Sequence, residues 1–396
     1  MPRHLKIAMV TPVYTAESTW GVVTVIKKIV SYSKSNGCVF SVYTVTATSP
    51  NKLGNLPAQE YIEGVRVRRY KSFLGVGNYQ ITPLMFLDLL RANFDIIHAH
   101  GARSFQLDLA AFVSMLRNKP LIISAHGTLG EHLYLNDVST KLKSLLKVHN
   151  ILLTFSLHRA KVVMALSKLE AEQYSKLFKV NPNRIVVLPN GIDFSTYRNL
   201  PPSGNFKKKF GIAPDNKIVL YVGRVNQIKG IEFLIKSFSH FMKNSSEKVR
   251  LVIAGPDDGY LNKARRLSES LGIADKVLFT GFLEEQDKLN AYVDAKVVVH
   301  PESFNVILIA PLEAAAASKP IILSNGNYLS EIAGREGFGL SVVYGDVDSL
   351  ANLLHKLVND SDLAEIMGRR GRQFVLGNLS WSRIVAEYDR IYQRTL

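Results

Sequence analysis

Two cations and two glycines bracket one short loop: Gly223-Arg224 opens it and Lys229-Gly230 closes it. An apolar run, Ile218–Val222, leads in, and a helix-like stretch begins at Ile231. A guanidinium gives forked hydrogen bonds, an ammonium gives a point charge, and a helix N-terminus adds peptide N–H groups; together they suit a diphosphate. Gly223 lets the backbone turn at a strand end, and Gly230 allows close approach where the helix starts. Spacing alone leaves a second reading open, a tight turn carrying two solvated cations.

Two more strand-like runs end in glycine, Ile253-Ala-Gly255-Pro256 and Phe279-Thr-Gly281-Phe282. Each alone is an ordinary connection; with Gly223 they point to a pocket lined by strand ends. His300-Pro301-Glu302 closes another run, and Glu313 follows eleven residues after Glu302 at the head of an alanine-rich stretch. A carboxylate in a helix's first turn is favoured by the macrodipole; the functional alternative is acceptance of two ribose hydroxyls of a nucleotide. His126, in Ser124-Ala-His-Gly-Thr128, follows an apolar run and is either a site residue or a satisfied structural histidine. His98 and His100 share one run with no third ligand nearby, so no metal is expected there. Asp346-Val-Asp348 precedes a helical stretch and reads as an N-cap rather than a metal site.

These residues need a scaffold that gathers strand ends. Lys6–Val10, Val39–Thr44, Ile96–His98, Leu121–Ser124, Val162–Ala165 and Ile185–Leu188 read as buried strands, with helical stretches such as Val22–Ser35 and Lys168–Lys176 between them. Brief, uninterrupted apolar runs belong to parallel strands covered on both faces. Turn residues concentrate at Asn199-Leu-Pro-Pro-Ser-Gly-Asn205, and the alternation then restarts at Ile218–Val222. The expected fold is therefore α/β: two doubly wound parallel-sheet, Rossmann-like domains facing a central cleft. Expected domains are 1–198 and 199–378, with a closing helix in 379–396 packing back on the first.

The chain has 396 residues, 47% of them hydrophobic and 21% charged, which is globular composition. A net charge of +16 asks for an anionic partner: phosphorylated substrates or an anionic membrane surface. Nucleic acid is not expected, because neither aromatic-plus-glycine RNA-binding patterns nor zinc-finger spacings occur. Cys38 is the only cysteine, which fits a reducing compartment. No leader opens the sequence, and no run of about 18 uncharged apolar residues occurs, so the expectation is cytoplasmic and without a membrane span. The stretch Lys141–Lys161 is basic and apolar at helical spacing. It is either an inward-packing helix or one resting on anionic lipid.

Gly223-Arg224…Lys229-Gly230, Pro189-Asn-Gly-Ile-Asp193 and Ala310-Pro-Leu-Glu-Ala314 resemble family four of the retaining glycosyltransferases, which have the two-Rossmann GT-B architecture. The likeness runs through nearly the whole chain and includes His98-Ala-His100, His126-Gly127, Ser167…Glu172 and Ser380-Trp381. It implies Arg224 and Lys229 on the diphosphate of a UDP- or GDP-type sugar donor, Glu313 on the ribose, and Gly255, Gly281 and Phe282 near the nucleotide. Gly21 would bring backbone amides to the phosphate, and His126 would lie beside the transferred sugar. The acceptor would be a glycan or lipid-linked, and no metal or cofactor would be needed. The sequence departs where the family places the first Glu of a Glu-x7-Glu pair. Unbroken spacing from Pro301 to Glu313 puts Asn305 there, while a gapped reading would put Glu302 there. An amide can bond a sugar hydroxyl but lacks charge to stabilise an oxocarbenium-like transition state. Two alternatives stay open: a non-catalytic nucleotide-sugar or glycan-binding homologue acting as a partner subunit, and a sugar-nucleotide epimerase.

Overall fold

The computed structural model describes residues 4–18, 21–33, 37–49, 52–76, 79–127, 140–302, 309–326 and 328–396. It divides into two compact units, one formed by Met1–Asn190 with Trp381–Leu396 and the other by Gly191–Ser380.

The first unit carries an eight-stranded sheet. Across it run Ile185–Val187, Val162–Ala165, Leu121–Ser124, Ile96–His100, Leu5–Val10, Cys38–Val45, Val65–Tyr70 and Gln59–Ile62. Every neighbouring pair is parallel except the last. Chain order reverses between Leu5–Val10 and Ile96–His100, and open sheets of this kind bind ligands outside the carboxyl ends at such a switch point. All five residues of Ile96–His100 are buried, as they must be in a strand covered on both faces. The closing helix Trp381–Thr395 belongs to this unit. It packs on helix Gly21–Ser33, where Ser33 Oγ donates to Asp389 Oδ1 at 2.6 Å, and Lys161 Nζ donates to the Thr395 carbonyl at 2.7 Å.

The second unit carries a six-stranded, wholly parallel sheet in the order Val277–Gly281, Val249–Ala254, Lys217–Val222, Val297–His300, Ile321–Ser324, Gly339–Val342. Its switch point lies between Lys217–Val222 and Val297–His300. Helix Ile231–Lys243 shows how the layers close: Ile231, Leu234, Ile235, Phe238 and Phe241 are buried, while Lys236 points to solvent. That spacing is one face of a 3.6-residue period.

The expected boundary at residue 199 is corrected to 191. Helix Phe194–Arg198 is tied into the second unit, where Arg372 donates to the Tyr197 carbonyl at 2.6 Å and the Ile192 N–H bonds Leu379 O at 2.7 Å. The proline-rich stretch after it is a loop inside that unit. Likewise residues 379 and 380 fall in the second unit, and the returning segment starts at Trp381. Helix Thr140–Arg159 buries Leu153, Ser156 and Leu157 and exposes Ile151, so its described face packs inward. Among the described residues no helix is long and apolar enough to cross a membrane.

Candidate functional site

Three strand ends meet in the second unit. The Gly223 N–H bonds Ala254 O and the Gly255 N–H bonds Gly281 O, each at 2.8 Å. Gly255 has φ +151, and a Cβ there would lie 1.8 Å from Gly223 O. Gly230, at φ +68, caps helix Ile231–Lys243, and its Cβ would meet Pro301 O at 2.1 Å. Any side chain at either position would push the strand-end loops apart. Phe282 follows Gly281 and is exposed on the same rim.

The cations on this rim are unequal. Arg224 is 51% exposed and bonds Asp258 Oδ2 at 2.5 Å, a carboxylate that also accepts from Asn226 Nδ2 at 3.0 Å. Lys229 is only 12% exposed, and its Nζ lies 3.6 Å from Oε1 of Glu302, which is 5% exposed. His300 Nδ1 approaches the same oxygen at 3.2 Å, and the Tyr221 ring centroid lies 5.4 Å from that of His300. Burial lowers the Lys229 pKa, with Glu302 opposing and Arg224 adding to the fall. For Glu302, burial pushes upward but His300 and Lys229 outweigh it, and the carboxyl is held at about 2. Glu302 Oε2 and His300 Nε2 are buried with no hydrogen-bond partner among the described residues.

A pH signature follows. The Glu302 carboxyl sits below its ordinary value of 4.5, so its stabilising effect is complete above that pH and is lost as pH falls toward about 2. Glu302→Gln is expected to be less stable than wild type at pH 7, with the gap closing on acidification. Denaturant titrations across that range check it; a constant gap contradicts it.

Glu313 occupies the first turn of helix Ala310–Ala316. Its Oε1 pairs with Lys288 Nζ at 2.7 Å and its Oε2 accepts from the Tyr292 hydroxyl at 2.9 Å. Burial pulls the Lys288 pKa down, yet the Glu313 carboxylate more than restores it. The carboxylate expected on a ribose is therefore already bonded within the unit. The Tyr197 hydroxyl also bonds this carboxylate, so of its about four lone-pair sites roughly one is left for a ligand hydroxyl beside these three donors. Asn305 lies outside the described residues.

In the first unit, His126 stands at the carboxyl end of Leu121–Ser124 in the left-handed region, at φ +57. It is fully buried, which pushes its pKa down to about 3 and leaves the imidazole neutral. The next residue is anchored: the Gly127 N–H bonds Glu170 Oε1 at 2.9 Å, and the Leu166 N–H bonds Glu170 Oε2 at 2.6 Å. Burial pushes the Glu170 pKa up while these two N–H groups oppose. Glu172, in the quoted motif, instead pairs with Lys176 on the surface at 2.8 Å. Gly21 is the first residue of helix Gly21–Ser33. Asp346 caps helix Val347–Asn359 by accepting from the Ser349 N–H at 3.0 Å.

Residues 20–196 match the model of Glycosyltransferase Family 4, and residues 203–374 match that of Glycosyl transferases group 1. The chain belongs to the group 1 glycosyltransferases. This glycosyltransferase is 28% identical to an uncharacterized glycosyltransferase of Methanocaldococcus jannaschii, over 98% of each chain. It is 26% identical to the N-acetyl-alpha-D-glucosaminyl L-malate synthase of Bacillus anthracis, over 90% of its own length and 89% of the relative's. Among solved structures, sucrose-phosphate synthase from Thermosynechococcus elongatus superposes with a TM-score of 0.76 at 22% identity, covering 98% of both chains. Anabaena HepE in complex with UDP gives 0.77 at 14% identity, covering 98% of the glycosyltransferase and all of HepE. These likenesses establish the GT-B fold.

Proposed function

We propose that the enzyme moves a hexosyl group from a UDP- or GDP-type sugar donor to a glycan or lipid-linked acceptor, with retention of anomeric configuration. The observation that carries this is the buried Lys229 ammonium beside Arg224 at the switch point of the second unit, among glycines that admit no side chain. As the donor's bond breaks, charge develops on the diphosphate, and preorganised cations at that place stabilise it. Arg224 and Lys229 take the role a divalent cation would otherwise fill. The acceptor hydroxyl attacks from the leaving group's side, and the protein supplies positioning rather than a nucleophile. HepE structures with UDP and UDP-glucose support the donor class. A relative named alpha-monoglucosyldiacylglycerol synthase, from Streptococcus pneumoniae, supports a lipid acceptor.

Calorimetry with UDP, GDP and ADP tests the donor class: binding of one of the first two is expected, and binding of none sinks it. Glu313→Gln should weaken the preferred nucleotide about tenfold, the scale of a charged hydrogen bond. The 2′-deoxy nucleotide should lose affinity in wild type and little more in the variant. Equal losses in both proteins would remove Glu313 from the ribose. Nucleotide binding without sugar transfer or donor hydrolysis would identify the non-catalytic alternative.

The net charge of +16 and the exposed Leu84, Leu87, Phe112, Met115 and Leu116 support attachment to an anionic membrane surface on its cytoplasmic face. Sedimentation with anionic vesicles at low salt tests it, and an unbound protein removes it.

A further inference from the structure

His98 and His100 stand next but one on a buried strand, and nothing in the donor reading uses them. His98 is satisfied on both nitrogens: Nδ1 meets the Tyr392 hydroxyl and Nε2 meets Ser124 Oγ, each at 2.8 Å. Its ring centroid lies 3.9 Å from that of His100 and so fixes that second ring in place. His100 Nδ1 lies 2.9 Å from His126 Nε2, and His100 Nε2 lies 3.3 Å from the sulfur of Met9. The remaining nitrogen, His126 Nδ1, is buried with no partner among the described residues. Burial keeps all three imidazoles neutral, so each carries one N–H and one lone pair.

A thioether only accepts hydrogen bonds, so a lone pair on His100 Nε2 would face sulfur lone pairs. We infer that His100 carries its proton on Nε2, accepts through Nδ1 from the Nε2–H of His126, and thereby leaves His126 Nδ1 as a bare acceptor for a ligand hydroxyl. His100 is then a positioning residue: it sets which hydrogen bond His126 can make. A partnerless buried lone pair is costly unless a donor arrives, and a polyhydroxylated ligand supplies one. The ligand half rests on the proposed place of His126 beside the transferred sugar; the proton assignment rests on the protein alone.

Nitrogen-15 NMR of histidine-labelled protein without ligand reads the tautomers, the His126 signals being identified by their loss in His126→Gln or His126→Asn. The expected result is a pyrrole-type Nε2 and a pyridine-type Nδ1 for His126 at pH 7. The opposite tautomer, or a protonated ring, overturns the inference. Met9→Leu preserves volume but removes the sulfur, and should give a mixed tautomer at His100 and His126; an unchanged spectrum overturns the part played by the thioether. UDP-glucose or GDP-mannose should move the Nδ1 signal where the bare nucleotide does not. If the tautomer is as expected and no nucleotide sugar moves that signal, the ligand assignment falls and the relay stands.

Discussion

Lys229→Met is expected to lower turnover of the sugar donor roughly a hundred- to a thousandfold, the range for removing one preorganised charge-stabilising group. The same change should also cost stability, because it strips the ammonium from a carboxylate that is 5% exposed. Breaking a buried pair in this way costs about 3–5 kcal/mol. The two effects separate in the double variant Lys229→Met with Glu302→Gln, which should recover most of the stability and none of the turnover. Arg224→Ala gives the complementary case. Its ion pair with Asp258 is half exposed, so stability should change by about 1 kcal/mol or less, while turnover falls as for Lys229. Denaturant unfolding and steady-state kinetics on the four proteins decide the matter, and near-normal turnover in either single variant would end the diphosphate assignment.

Gly255→Ala should be the most damaging methyl group that can be added to the second unit. The new carbon would sit 1.8 Å from Gly223 O, on a residue at φ +151, so both the strand end and the backbone conformation resist it. Overpacking and a disfavoured φ together cost about 3–5 kcal/mol, and nucleotide binding should vanish with the rim. Gly259→Ala is the control: φ is +88 but nothing lies within 4 Å, so only conformational strain is left, about 1 kcal/mol. Equal midpoints for the two variants in denaturant would show that the close approach at Gly255 relaxes freely.

Some of this was legible in the residues and some was not. The rim could be read because a strand running into Gly-Arg announces its own turn, and because at Gly255 any Cβ would run into the backbone of the neighbouring strand end. Partners that arrive from distant elements left no such mark. Lys288 and Tyr292 come from helix Glu285–Asp294 and look like any surface lysine and core tyrosine in sequence. Glu302 was visible as the end of a strand, but its pairing with Lys229 depends on two loops meeting across the switch point. In helix Lys168–Phe178 the motif drew attention to Glu172, whereas the helical period turns Glu170 inward to the Gly127 amide. The boundary was misplaced because proline and glycine mark any loop, including one within a unit. Strand Gly339–Val342 escaped notice because it begins with glycine and lies at the sheet edge.

The return of residues 381–396 to the first unit makes the second an insertion in the chain of its host. No single proteolytic cut can therefore release two intact halves. Residues 191–380 form an uninterrupted stretch that could be produced alone. A fragment ending at 190 would lack the Asp389 carboxylate that meets Ser33 and the Tyr392 hydroxyl that meets His98, and would need the last sixteen residues grafted back by circular permutation.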